Sequence, residues 1–106
     1  MFLIINKFFI PKGYRGITIF PFIFLRYKTD KKDLVILNHE KIHIYQQLEL
    51  LILPFYVLYL VHFLVNLIKY KNKDLAYRNI IFEKEAYANE TNLNYLKNRK
   101  LWEFLR

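Results

Sequence analysis

His39 and His43 stand four residues apart in the run His39-Glu40-Lys41-Ile42-His43. On a helix that spacing stacks two imidazoles on one face, where both can reach a single ion. Glu40 is rotated about 100° from His39, so it can touch a water held by the ion rather than the ion itself. A catalytic zinc takes three protein ligands and keeps a fourth position for that water. The ion lowers the water's pKa to about 7, and Glu40 is placed to take the proton. The spacing therefore predicts a Zn2+ ion on His39 and His43, with Glu40 as general base. Two of the chain's three histidines fall inside the run. The bland alternative is a pair of helical histidines beside a salt-bridging glutamate.

A third ligand must come from elsewhere. The chain has no cysteine, so thiolate is excluded and only imidazole and carboxylate remain. The candidates lie in Phe82-Glu83-Lys84-Glu85-Ala86-Tyr87-Ala88-Asn89-Glu90. Glu83 and Glu85 are about 200° apart on a helix, so only one can face the site. The apolar stripe of this segment is Ile81, Phe82, Ala86, Leu93 and Leu96. Glu85 and Asn89 fall within or beside it. Glu83 falls on the other side, with Tyr87, Glu90, Asn94 and Lys97. A buried carboxylate needs a charge partner, and zinc would supply one. Glu85 is therefore preferred to Glu83 as third ligand, with Asn89 one turn on to orient a ligand. Gln46 shares the His39/His43 stripe and either lines the cleft or satisfies a buried carbonyl. Tyr59, His62 and Asn66 form a polar stripe that reads first as hydrogen-bonded structure. Tyr77, Arg78 and Tyr87 could steady an oxyanion, but each is more often a packing or surface residue.

The elements that position these residues can be outlined from pattern. Gly16–Arg26 reads as one strand, demoted to a sheet edge by Pro21, within a β-hairpin that has a turn signal at Pro11-Lys12-Gly13. Thr29 or Asp30 is expected to cap a helix from about Leu34 to about Leu53, apolar on nearly all sides and broken or kinked at Pro54. Residues 55–68 form a second helix. No residue from Leu50 to Ile68 carries a formal charge, a length near the roughly 20 residues that cross a bilayer. Pro54, His62 and Asn66 argue against a simple span, which leaves a core helix or one that enters or lies in the membrane. A polar connection, Lys69–Asn79, leads to a third helix from Ile80 to about Lys97. A short last helix holds Leu101, Trp102 and Leu105. The expected fold is α+β: an N-terminal hairpin or edge strand, then three main helices.

At 106 residues the chain is expected to be one domain, 1–106. Its apolar share of 55% exceeds the roughly 45–50% of an ordinary soluble domain, and the excess points to a membrane or a partner. The net charge of +8 is scattered beside apolar segments rather than along one helix face. It reads first as the flanks of elements near a membrane surface, next as a solvated face, and least as a nucleic-acid footprint; no nucleic acid is expected as a partner. The chain start lacks a charged region and a sustained apolar run, so no cleaved signal peptide is expected. The expected location is membrane-associated or cytoplasmic.

With the HEKIH run and the later Glu85-Ala86-Tyr87-Ala88-Asn89 together, the chain resembles the gluzincin branch of zincin metallopeptidases. That branch joins HExxH to a glutamate on a following helix. Glu85-x-x-Ala88-Asn89 is similar to the ExxAD-type motif of integral-membrane gluzincins such as the CAAX prenyl endopeptidases and the β-lactam-sensor metallopeptidases, with Asn89 where the pattern has Asp. Glu83-x-x-Ala86-Tyr87 fits that motif less well. The length is similar to the single-domain minigluzincins. The resemblance implies a zincin-like fold, hydrolysis of a peptide or protein substrate, and docking of an extended peptide on the Gly16–Arg26 strand. The alternative is a latent or inactive zinc-stabilised scaffold at a membrane.

Overall fold

The computed structural model describes residues 2–6, 8 and 10–105. It is α+β, with a three-stranded sheet followed by five helices. Strands β1 (Phe2–Ile5), β2 (Gly16–Ile19) and β3 (Phe22–Leu25) lie in the order β1-β3-β2. β1 runs parallel to β3, and β2 antiparallel to it with Ile17 opposite Phe24. The single strand expected over Gly16–Arg26 is thus two strands folded on each other. Phe20-Pro21 makes the tight turn, through a cis peptide bond. Pro21 sits where a missing N–H costs nothing. Only the first half of the segment, β2, is an edge; β3 is the central strand. The turn at Pro11-Lys12-Gly13 is present as well, with Gly13 at φ +95 and the Tyr14 amide donating to the Pro11 carbonyl.

Helix α1 (Leu34–Glu49) is capped by Asp33, whose carboxylate accepts from the amides of Val35 and Ile36. The cap expected at Thr29 or Asp30 falls instead in a 3₁₀ turn, Lys28–Lys32. Arg15 bridges Asp30 and Asp33 at 2.7 and 2.8 Å and fastens the helix start to the strand layer. α1 ends earlier than expected, because Leu51 and Ile52 take positive φ (59° and 66°). Ile52 is the centre of a tight turn closed by the Leu53 amide on the Leu51 carbonyl at 2.8 Å, a backbone conformation that costs roughly 1–3 kcal/mol. It turns the chain sharply, and Pro54 then lies in the first turn of α2 (Leu53–Tyr70). There its absent N–H is no loss, so it starts a helix rather than breaking one. α2 is long and apolar enough to cross a membrane by length and composition, and 11% of it is buried.

The connection expected to be merely polar holds α3 (Lys73–Arg78), capped by Asn72. α4 (Ile81–Asn89) is half the length expected. The Asn38 side chain donates to the carbonyls of Asn89, Glu90 and Asn92 and ends the helix there. Chain 90–94 has two more asparagines, whose side chains compete with helical hydrogen bonds. A short α5 (Tyr95–Asn98) and a 3₁₀ turn (Glu103–Leu105) follow.

Two apolar clusters flank α1. Ile23, Leu25 and Ile44 join the sheet to it, while Phe55, Ile80, Phe82 and Phe104 join α2, α4 and the C-terminal turn. Between them α1 buries Asn38, His39, Glu40, His43, Gln46 and Gln47. A helix that buries so many polar groups must find each a partner, and those partners define the site.

Candidate metal centre

The nearest of these partners are three ligand atoms that converge on one point. His39 Nε2 and His43 Nε2 are 3.2 Å apart, and Glu83 Oε1 lies 3.1 Å from each. The triangle is close to equilateral, and its sides approach the edge of a zinc tetrahedron, about 3.3–3.4 Å for ligands at their usual distance. All three residues are buried, at 5%, 5% and 4% exposure. Among the described residues they form the group able to hold a metal ion.

The partners outside the triangle decide which way the lone pairs point. His39 Nδ1 lies 2.7 Å from Glu90 Oε2, and an ionised carboxylate can only accept. The proton of neutral His39 is therefore on Nδ1, and its Nε2 lone pair faces the triangle. Gln46 Nε2 donates to the Phe82 carbonyl at 3.0 Å and to Glu85 Oε1 at 2.8 Å. Those acceptors fix the amide, so Gln46 Oε1 accepts from His43 Nδ1 at 2.8 Å. The His43 Nε2 lone pair then faces the triangle too. Tyr59 donates to Glu83 Oε2 at 2.6 Å, which leaves Oε1 for the histidines. Three acceptors aimed at one another repel unless a cation stands between them. Without an ion, a proton on His43 can take that place. Burial would lower His43, but the charge and hydrogen bond of Glu83 outweigh it and lift it to about 9. Burial would raise Glu83, but the two histidines hold it well below the usual carboxylate range.

Glu83 takes the position expected for Glu85. The carboxylate of Glu85 points away from the triangle and accepts from Gln46, from Tyr95 at 2.6 Å and from Arg99. Arg99 also grips Glu49 with two hydrogen bonds at 2.7 and 2.9 Å. Glu85 is thus a buried charge with a partner, but the partner is a guanidinium. Burial raises its pKa, and Arg99 together with Gln46 and Tyr95 more than offsets that, so the carboxyl is held below its ordinary value. The helical-phase argument misplaced it because α4 is buried on two faces, with Phe82, Glu83, Glu85 and Ala86 all covered. Asn89 donates to the carbonyl of Glu85 at 2.8 Å, within α4, and touches no ligand.

Glu40 lies under β2. Its Oε2 accepts from Thr18 Oγ1, and a Cβ at Gly16 would come within 3.2 Å of its Oε1 and 3.3 Å of the Phe24 carbonyl. The Glu40 charge is felt at His43, where it favours the cationic form. Gln47 holds the strand above: its Oε1 accepts from the Phe20 amide at 2.9 Å and its Nε2 donates to the Thr18 carbonyl at 3.0 Å. Tyr87 packs edge-on against His39 at 4.5 Å between centroids, meets Tyr77 through paired hydroxyls at 3.1 Å, and carries Arg78 over its ring. His62 accepts from the Ile81 amide at 3.2 Å and caps α4, and Asn66 donates to the Ala76 carbonyl. Sequence reasoning missed Glu90, Gln47 and the role of Tyr59. For Glu90 a signal was present, since Glu83, Tyr87 and Glu90 share one face of α4.

Comparison of the chain with protein-family models, with curated proteins and with solved structures found no match.

Proposed function

We propose that the chain is a small zinc metallopeptidase of gluzincin type, with zinc on His39, His43 and Glu83 and with Glu40 as general base. The observation that carries this reading is the set of three acceptor atoms, each oriented from outside by Glu90, Gln46 or Tyr59, that meet at one point. Two imidazoles and one carboxylate make a donor set suited to zinc, and they leave a fourth position for water or substrate. Bound there, zinc would supply Lewis acidity and would lower the pKa of a water to about 7. Glu40, one residue from a ligand, would take a proton from that water and pass it to a leaving amine. Thr18 holds the Glu40 carboxylate in place until the proton is needed. β2 is the outer strand beside Glu40, which suits an extended peptide added along the sheet. Gln47 already bonds the Phe20 amide and the Thr18 carbonyl, so such a peptide would add at the Gly16 end.

The test is metal analysis of the purified chain beside three variants. Wild type and Glu85→Ala are expected to carry about one zinc, and Glu83→Ala much less. Glu40→Gln keeps its zinc and loses hydrolysis of a quenched-fluorescence peptide library. Metal-free wild type after mild purification would sink the reading.

A second reading is favoured by the burial of the site, with Glu40 at 6% exposure and bonded to Thr18. In it the chain is a latent or purely structural zinc protein closed by its own β2. Cobalt-substituted protein with a four-protein-ligand spectrum, and no hydrolysis of any library peptide, would favour it.

A further inference from the structure

The outer face of α2 carries no polar side chain. Val57, Leu60, Val61, Leu64, Val65 and Ile68 follow one another at helical spacing, each 48% exposed or more. Beside this stripe runs a half-open groove of about 420 Å³, walled by Leu58 and Val65 on one side and Trp102 and Leu105 on the other. An apolar face of this extent is beyond what a soluble surface ordinarily leaves uncovered.

The occupant is indicated by chemistry at the face and around it. Protein interfaces mix aromatic, polar and arginine side chains with apolar ones, whereas this stripe is purely aliphatic. Its rim is basic. Lys69 and Lys84 are exposed and close enough to His62, at the edge of the groove, to disfavour its protonation after burial has done so. Lys71 and Lys73 follow at the C-terminal end of α2. No acidic residue occurs between Glu49 and Asp74. Apolar side chains with lysines at the C-terminal end of α2 and beside His62, and with one tryptophan at the margin, match the boundary between acyl chains and anionic headgroups.

The inner face decides the orientation. Phe55 packs on Phe82, Tyr59 bonds Glu83, His62 accepts from Ile81 and Asn66 bonds the Ala76 carbonyl. The helix is held to α3 and α4 along most of its length. A span would draw those helices, with the buried polar side chains of Glu83 and His43, into hydrocarbon. We propose that the outer face of α2, with Trp102 and Leu105 beside it, docks on an anionic lipid bilayer, and that α2 lies in the plane of the membrane rather than across it. This does not depend on the metal reading.

The test uses the full purified chain and vesicles of phosphatidylcholine with roughly 30% phosphatidylglycerol. Trp102, the chain's one tryptophan, is the probe. Binding should shift its emission to the blue, and bromine placed near the headgroups should quench it more than bromine at the chain ends. Raised salt or pure phosphatidylcholine should weaken binding. Val61→Glu with Val65→Glu, at positions 52% and 54% exposed, should reduce it by roughly tenfold or more, with thermal unfolding unchanged. Lys69→Ala with Lys84→Ala should lower it several-fold on the anionic vesicles only. The proposal is overturned by absence of binding, by equal binding of the glutamate variant, or by protease protection of both flanks as in a span. A stable dimer that buries Trp102 and ignores vesicles overturns it as well, because the face would then belong to a second copy.

Discussion

Glu90 and Gln46 lie outside the three-atom triangle, yet they set which nitrogen of each histidine can bind a metal. Each accepts a hydrogen bond from a histidine Nδ1–H, at 2.7 and 2.8 Å, and so leaves Nε2 free to bind an ion. Removing such a partner frees the tautomer and the ring angle, which typically costs 10–100-fold in metal affinity. Glu90→Leu and Gln46→Leu are therefore each expected to weaken zinc binding by about that factor, as read by competition with a chromophoric chelator. Asn89→Ala should leave it unchanged, since the Asn89 side chain bonds the carbonyl of Glu85 within α4 and reaches none of the three ligand residues' side chains. At this scale the sequence was half legible. The spacing of His39 and His43 alone pointed to a shared ion, and those side chains do converge. The carboxylate beside them could not be selected from the apolar stripe of α4. That stripe faces the Phe55–Phe82 cluster, while the polar row Glu83, Tyr87 and Glu90 faces α1. A polar row reads as solvated unless one knows that another helix covers it.

At the scale of elements, Arg99 decides how the C-terminal segment is held. It lies in a stretch with no long helix, yet its side chain is 2% exposed and pairs with Glu49 at the end of α1 and Glu85 on α4. Truncation of one member of a buried ionic cluster leaves the others uncompensated, at a cost of about 3–5 kcal/mol. Arg99→Met is expected to destabilise the fold by that amount in urea denaturation. Arg78→Met, whose partner Asp74 is exposed, should change stability by less than about 1 kcal/mol. β2 offers a second case. Gly16→Ala places a methyl group 3.2–3.3 Å from Glu40, Leu25 and the Phe24 carbonyl. Overpacking of that kind costs about 1–3 kcal/mol, and it should lift β2 away from Glu40. Element type was mostly readable: two long helices fall close to their expected ranges. Their ends were not, because tertiary contacts set them. Asn38 terminates α4, and positive φ at Leu51 and Ile52 ends α1 before Pro54 is reached.

For the whole molecule, the consequence is a fold whose two apolar clusters meet across a charged seam. The sheet cluster and the helical cluster are joined through α1, and its buried histidines face Glu83 on α4. A cation at that point ties α1 to α4 and exists only in the folded chain. A ligand that binds the native state alone stabilises it by RT ln(1 + [L]/Kd), about 2.7 kcal/mol at a hundredfold excess over Kd. In a domain near 100 residues, each kcal/mol moves Tm by about 4–8 °C. Zinc is therefore expected to raise Tm by roughly 10–20 °C over chelator-treated protein in calorimetry. Glu83→Ala should abolish the difference, and Glu85→Ala should lower Tm in both conditions while keeping it. Glu40→Gln should retain the full shift, because Glu40 is not one of the three residues that converge on the ion's position. Identical melting of wild type with and without chelator would remove the metal from the account of this fold and leave a proton shared by His43 and Glu83 in its place.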